Sequence, residues 1–520
     1  MNILMEPTVV EPKRKIKTPS FILELPLKTT LVDEHQIDKR LNVLRNIYNA
    51  CLSESLRRLD LMRNSEEYQN ARKLPKGKER SATFKLINEE YDFTEYGMKN
   101  HSTKIRNGAN WIRDLANSQL CQTAAKRAFK AVQKKAFGQS KRVRFKGKNQ
   151  FDSIEGTTNT QGLIFKNNCL HWGNLKISCI VDQTDEYLKY GLEHRIKYCR
   201  IVRRRINNRN RYYLQLVLEG KPYQNLDNKI AEGFVGLDIG PSTIAYVGNK
   251  SAVLKQLCSE IVPDWKEKRN LQRKLDRSRR ATNPQNFNEN GTCKKGVKVW
   301  TKSKRYKKLQ TKIAETERKM AAHRKSLHGQ LANEILSVGN KIHTEKISYK
   351  AWQKMYGKSI GRGAPSMIVS TIQRKAENAH GGYLYEIPTR TTKLSQTCHE
   401  CGSQVKKPLS TRWHNCCDIH AQRDLYSAFL ARCVDKNGVL DIALAKQLWP
   451  SAEPLLKDAV SRIELMYSQS ATCGDLIPKS FGIQRSKSGS YSKSVGTTIK
   501  VADVSKENVG IIETRETSGA

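Results

Sequence analysis

Four cysteines fall within twenty positions, Cys398 and Cys401 in a C-x-x-C half-site and Cys416 directly beside Cys417. Two residues between thiolates let both face one tetrahedral zinc ion. The adjacent second pair can share that ion only if the backbone between them bends sharply, and His414 and His420 are alternative ligands. Four protein ligands leave no open position, so the expected site is structural Zn²⁺. Just beyond it Asp424 opens a segment of helical spacing. Two other carboxylates sit where carboxylates are costly. Asp238 lies inside the apolar run Phe234–Ile239, and Glu345 lies in the strand-like KIHTEKISY. Burying an unpaired carboxylate is unfavourable by several kcal/mol. Two of the three have a plain structural reading: Lys346 or His343 as a partner for Glu345, and a favourable helix start for Asp424. Together the three suit convergence on divalent metal and hydrolysis of a phosphodiester. In the two-metal form of that chemistry the Mg²⁺ ions lie about 4 Å apart and serve the attacking and the leaving oxygen.

The composition points to the same substrate. Of 520 residues 93 are Lys or Arg against 50 Asp or Glu, a formal charge of +43. Such an excess calls for a polyanion, because Lys and Arg displace condensed counterions from phosphates. A membrane-surface protein would need an apolar span, an amphipathic anchor or a lipidation site, and none is evident. The start, MNILMEPTVVEPKRKIK, turns polar too soon for a signal peptide, and thirteen cysteines with one cluster suit a reducing interior. The expectation is a cytoplasmic protein, nucleoid-associated when on DNA.

The elements that must position these residues follow from periodicity. After a flexible lead-in over 1–19, FILELPL alternates as a strand. From Asp38 the period becomes helical, with Leu41, Leu44, Tyr48, Leu52, Leu56 and Leu59 on one face. Lysine-rich helical sequence continues to about Gly138. There Lys126, Arg127, Lys130, Lys134 and Lys135 surround an apolar face and run into Arg142, Arg144 and Lys146. So many cations with few acids nearby point to phosphate contact. Strand-like sequence resumes over 141–225, where Asn207-Asn208 signals a hairpin turn crowded by Arg203, Arg204, Arg205, Arg209 and Arg211. Residues 264–338 read as two long basic helical stretches, the second with a seven-like stripe of helix packing. Beyond 470 the chain is Ser-, Lys- and Gly-rich and is expected to be disordered.

GLDIG around Asp238, the Glu345 strand, PTRTTKLSQTCHECG followed by RDLYSA, and RFKGKNQF near 144–151 resemble, in that order, the TnpB proteins encoded by transposons. They equally resemble the related compact type V CRISPR effector nucleases, and the resemblance covers about residues 20–435. It implies an α+β multidomain, bilobed chain. A wedge β-barrel (20–35 and 141–225) would carry a helical recognition domain (36–140). An RNase H-like, RuvC-type nuclease (230–390 and 421–470) would carry a zinc-ribbon insert (391–420) that loads the target strand. It further implies a guide RNA held by the first lobe as monomer or homodimer, recognition of a short adjacent motif on double-stranded DNA, and cleavage with Asp238, Glu345 and Asp424 as metal ligands. Gln422 departs from the family, which commonly has an acid there. The competing readings are a DNA-binding or transposition accessory protein with an idle site, and a transposase acting without RNA.

Overall fold

The computed structural model describes residues 18–296, 298–408, 410–469 and 478–483. Of the expected lead-in over 1–19, residues 1–17 lie outside them, as does most of the expected tail. The first strand, β1 (Ser20–Pro26), buries Phe21, Leu23 and Leu25 by alternation and leads into α1 (Leu31–Asn64). Thr30 and Asp33 close a reciprocal capping box at the start of α1, satisfying backbone donors that a helix leaves orphaned. Helices α2 (Glu66–Lys73), α3 (Lys78–Glu90), α4 (Glu95–Asn107), α5 (Asn110–Leu115) and α6 (Ser118–Ala136) follow, and α6 packs on α1 and α4.

Then come the short strands β2 (Ser153–Glu155), β3 (Ile164–Lys166), β4 (Cys169–Trp172) and β5 (Leu175–Ser178), the helix α7 (Glu186–Leu192), and the long pair β6 (Ile196–Ile206) and β7 (Arg209–Glu219). Asn207 and Asn208, with φ of 49° and 63°, make the expected two-residue turn, a conformation Asn tolerates better than most residues. The strands form an antiparallel sheet ordered β1-β7-β6-β2, so the helical segment interrupts this sheet. Strands β3, β4 and β5 form a separate three-stranded sheet. The expected barrel is corrected here: among the described residues none closes. The two sheets meet at the Leu27–Cys179 bridge, and strands of three or four residues offer too few backbone pairs to extend that contact into a ladder.

The second half holds a five-stranded sheet. Strands β8 (Phe234–Ile239), β9 (Thr243–Val247) and β10 (Ala252–Gln256) form an antiparallel meander, and β11 (Lys341–Glu345) and β12 (Tyr383–Ile387) add in parallel, giving the order β10-β9-β8-β11-β12. Between β10 and β11 run α8 (Val262–Thr282) and α9 (Lys304–Leu336), packed on each other. Ile313, Met320, Leu331 and Ile335 of the expected stripe are buried. Helices α10 (Tyr349–Gly363) and α11 (Pro365–Asn378) lead to β12. After the short α12 (Thr389–Thr392) come the hairpin β13 (Trp413–Cys416) and β14 (Ile419–Gln422), then α13 (Arg423–Arg432) and α14 (Ile442–Gln469). The largest hydrophobic core draws only on residues up to Leu218, and the others only on residues from Val235 onward. The chain is therefore a mixed α/β, multidomain protein.

Candidate metal centres and nucleic-acid interface

Strand β8 is central in its sheet, and β11 lies beside it with Thr344 opposite Leu237. Asp238 and Glu345 are the next residue on each strand, and neighbouring residues in a parallel pair point to the same face. That face is covered by α13. The covering needs Gly236, since a Cβ there would collide with the Ala428 carbonyl oxygen. Two residues along the strand stands Asp238, and one helical turn before Ala428 stands Asp424. The close approach at Gly236–Ala428 thus brings the two aspartates towards each other. His343, opposite Gly236, places Nδ1 3.2 Å from the Ala431 carbonyl and pins β11 to the same helix.

The electrostatics match that placement. Burial pushes the Asp238 carboxyl well above the usual range, and the charges of Asp424 and Glu345 push it further; Arg423 and Arg412 pull it back. Burial lifts Glu345 to about 7 and raises Asp424 against the opposing pull of Arg423 and Arg412. Asp424 lies 3.7 Å from the Arg423 guanidinium. The carboxyl groups of Asp238 and Glu345 have no hydrogen-bond or ion-pair partner among the described residues. Sequence reading missed Arg412 and Arg423, although Arg423 adjoins Asp424 in RDLYSA. Arg423 also donates to the carbonyls of Thr411 at 2.8 Å and Pro408 at 3.3 Å, tying the carboxylate site to the knuckle loop.

In that knuckle the sulphurs of Cys398, Cys401, Cys416 and Cys417 all lie within 4.8 Å of one another. Among the described residues no other group of three or more Cys, His, Asp or Glu is gathered this tightly; the carboxylates stand further apart. Cys417 resolves the awkward adjacent pair. It takes the left-handed conformation, φ 51°, in the two-residue turn between β13 and β14, which turns both thiols to one side. The two histidines are engaged elsewhere. His414 Nδ1 is 2.6 Å from Lys407 Nζ, and His420 stacks on Trp413 with Nδ1 2.6 Å from Asn415 Oδ1. A hydrogen bond from Ser403, supported by the neighbouring thiols, holds the Cys401 thiol down to about 6, and hydrogen bonding to Cys401 pushes Cys417 up to about 12. Four convergent thiols are a donor set that fits a tetrahedral metal ion. The Tyr426 hydroxyl joins this knuckle to α13, accepting from the His399 backbone N–H at 3.0 Å.

The basic residues divide. Arg203 is buried, with its guanidinium on Asp38 at 2.7 Å and on Asp152 at 2.7 Å. Arg127 pairs with Glu155 and Arg204 with Glu24. These three arginines spend their charge within the protein. Lys126 also reaches an acid, Glu95, at 3.2 Å, and Arg205 bonds Asn208. Lys130, Lys134, Arg142, Arg144 and Arg209 are exposed and have no acidic partner among the described residues, and neither do the half-buried Lys135 and Lys146. Asn49 clasps the Lys146 backbone through both its amide groups, which fixes this strip against α1 and leaves the ammonium free.

No family model and no curated protein matches the chain. Among solved structures it is similar to a cryo-EM structure of the Cas12f1–sgRNA–target DNA complex, at 12% identity and a TM-score of 0.39, over 79% of this chain and 98% of that one. It is also similar to a cryo-EM structure of a CRISPR–Cas12f ternary complex, at 12% identity and a TM-score of 0.26 over the same shares. Likeness this slight decides neither fold family nor activity. Among the described residues no helix is long and apolar enough to cross a membrane.

Proposed function

We propose that this protein is an RNA-guided DNA endonuclease hydrolysing phosphodiesters at Asp238, Glu345 and Asp424. The observation that carries the reading is that two half-buried carboxylates stand without a cationic partner in a chain of net charge +43, beside a third on the covering helix. Lysine and arginine are abundant enough to have neutralised them. Carboxylates gathered with only Arg412 and Arg423 to offset them, and with no cation in contact with Asp238 or Glu345, suit a divalent cation as the missing charge.

Asp238, Glu345 and Asp424 would hold Mg²⁺, which when bound supplies Lewis acidity at the scissile phosphate. Arg412 and Arg423 restrain the repulsion between the carboxylates. Cys398, Cys401, Cys416 and Cys417 would hold a structural Zn²⁺ that stiffens the knuckle against α13. In this reading the five-stranded sheet is the RuvC-like nuclease core and the knuckle is the target-loading insert. The first sheet with its helices is the guide-holding lobe, and Lys130, Lys134, Lys135, Arg142, Arg144 and Lys146 face the RNA. The guide itself rests on the resemblance of the sequence motifs and on these free cations.

The test is to purify the chain with its native flanking locus, sequence the RNA that accompanies it, and challenge the complex with DNA matching the variable end of that RNA. The expected result is one dominant RNA and Mg²⁺-dependent cleavage that Asp238→Ala abolishes. Cleavage surviving in Asp238→Ala would refute the assigned site. Heterogeneous RNA or none would refute the guide and leave a DNA-binding or transposase role.

A further inference from the structure

Residues 478–483, within the stretch expected to be disordered, pack against the candidate active site. Phe481 and Ile483 are buried, and they share a core with Leu425, Tyr426 and Phe429 of α13 and with Cys398 and Ile419 of the knuckle. The contact is polar as well as apolar. Trp413 Nε1 donates to the Gly482 carbonyl at 2.8 Å, and Gln422 Nε2 donates to the Phe481 carbonyl at 3.2 Å. Gln422 is fully buried and caps α13, its Oε1 accepting from the Leu425 N–H at 2.8 Å. One amide therefore joins the segment to the helix turn that carries Asp424. Gly482 lies in the left-handed region at φ +70°, and a Cβ there would strike the side chain of Arg412. Arg412 is one of the two arginines whose charge acts on Asp238 and Asp424.

These contacts explain the departure at position 422. A carboxylate there could cap α13, but it has no N–H to give the Phe481 carbonyl. Glutamine does both.

We infer that residues 478–483 are a strap that positions Asp424 and Arg412 for divalent-ion binding, acting through Gln422 and the backbone beside Trp413. Its residues touch neither ion nor substrate; they are positioning residues. The inference rests on the proposed carboxylate site. Its consequence is that metal affinity at that site depends on a segment sixty residues downstream, roughly, of the last ligand.

The probe is Mn²⁺, titrated into the zinc-loaded full chain and followed by electron paramagnetic resonance, well below the melting temperature. Gly482→Ala, which introduces both the clash with Arg412 and an unfavourable left-handed alanine, is expected to weaken Mn²⁺ binding about tenfold while zinc content stays at that of the wild type. If Gly482→Ala does not fold, Phe481→Leu makes the same comparison with an expected loss of about threefold. Mn²⁺ affinities within twofold of wild type, with only the melting temperature lowered, would overturn the strap and leave the carboxylate site standing. Mn²⁺ binding by the wild type that Asp238→Ala does not weaken would overturn the carboxylate site, and the strap's role with it.

Discussion

The two candidate metal centres both adjoin the first turn of α13 and are built in opposite ways. The thiol site comes from one knuckle and one hairpin, its four sulphurs within 4.8 Å before any ion is considered. The carboxylate site comes from β8, β11 and α13, and its groups stand further apart. Thiols can approach because protonated sulphurs do not repel and can hydrogen-bond to one another. Carboxylates at this burial repel unless protonated or metal-bound. A structural site can therefore be assembled by local chain geometry, whereas a catalytic one needs the whole fold to hold like charges in place. Arg423 bridges the two, reaching Asp424 on one side and the Pro408 and Thr411 carbonyls on the other.

The sharpest way to separate the centres is to remove one ligand from each. Asp238→Ala is expected to reduce target cleavage by at least about 10³-fold while nucleic-acid binding holds and the melting temperature does not fall, measured by cleavage and filter-binding assays and by calorimetry. If binding falls equally, the carboxylates serve the fold and the contrast collapses. Cys401→Ser is expected to do the reverse first: zinc is lost, and the melting temperature drops by roughly 5–10 °C, read by metal analysis and calorimetry. Unchanged zinc content would mean that the thiols hold no ion.

A pH series tests the repulsion itself. Glu345 titrates near 7 in the ion-free fold, above its value in an unfolded chain, and Asp238 and Asp424 are raised too. The folded state then holds these protons more tightly than the unfolded state. For Glu345 the stability is full below about pH 4.5 and is lost as pH rises through about 7, and the two aspartates act in the same direction. The melting temperature in Mg²⁺-free buffer should therefore fall between pH 5 and 8 by a few degrees, and added Mg²⁺ should restore it most at the high end. Restoration that is equal at pH 5 would show the cation acting elsewhere.

The smallest effects concern the basic residues outside both centres. Lys134→Ala is expected to weaken RNA binding a few-fold and to lower the salt slope by about one, with melting unchanged. Arg203→Ala should instead cost about 2–3 kcal/mol of stability, because Asp38 and Asp152 lose their shared partner. A salt-slope change from Arg203→Ala without destabilisation would reverse this assignment.

What the sequence determined by itself was local. The C-x-x-C spacing, the alternation in β1 and β7, the helical period of α1 and the Asn207-Asn208 turn all depend on neighbours a few positions away, and backbone sterics link them directly to geometry. The awkward setting of Asp238 was legible for the same reason, since an acid inside an apolar run stands out in any window. Tertiary structure decided what depends on partners distant in sequence. It turned Cys417 into the cluster in preference to His414 or His420, and it drew Arg127, Arg203 and Arg204 into ion pairs that a run of arginines cannot reveal. It left the first sheet open because β2 to β5 are too short to close it. It also seated Phe481 beneath Gln422 within a stretch whose composition promised no order. Charge and hydrophobicity are properties of a residue, but pairing and burial are properties of a pair, and only the folded chain brings the second member into place.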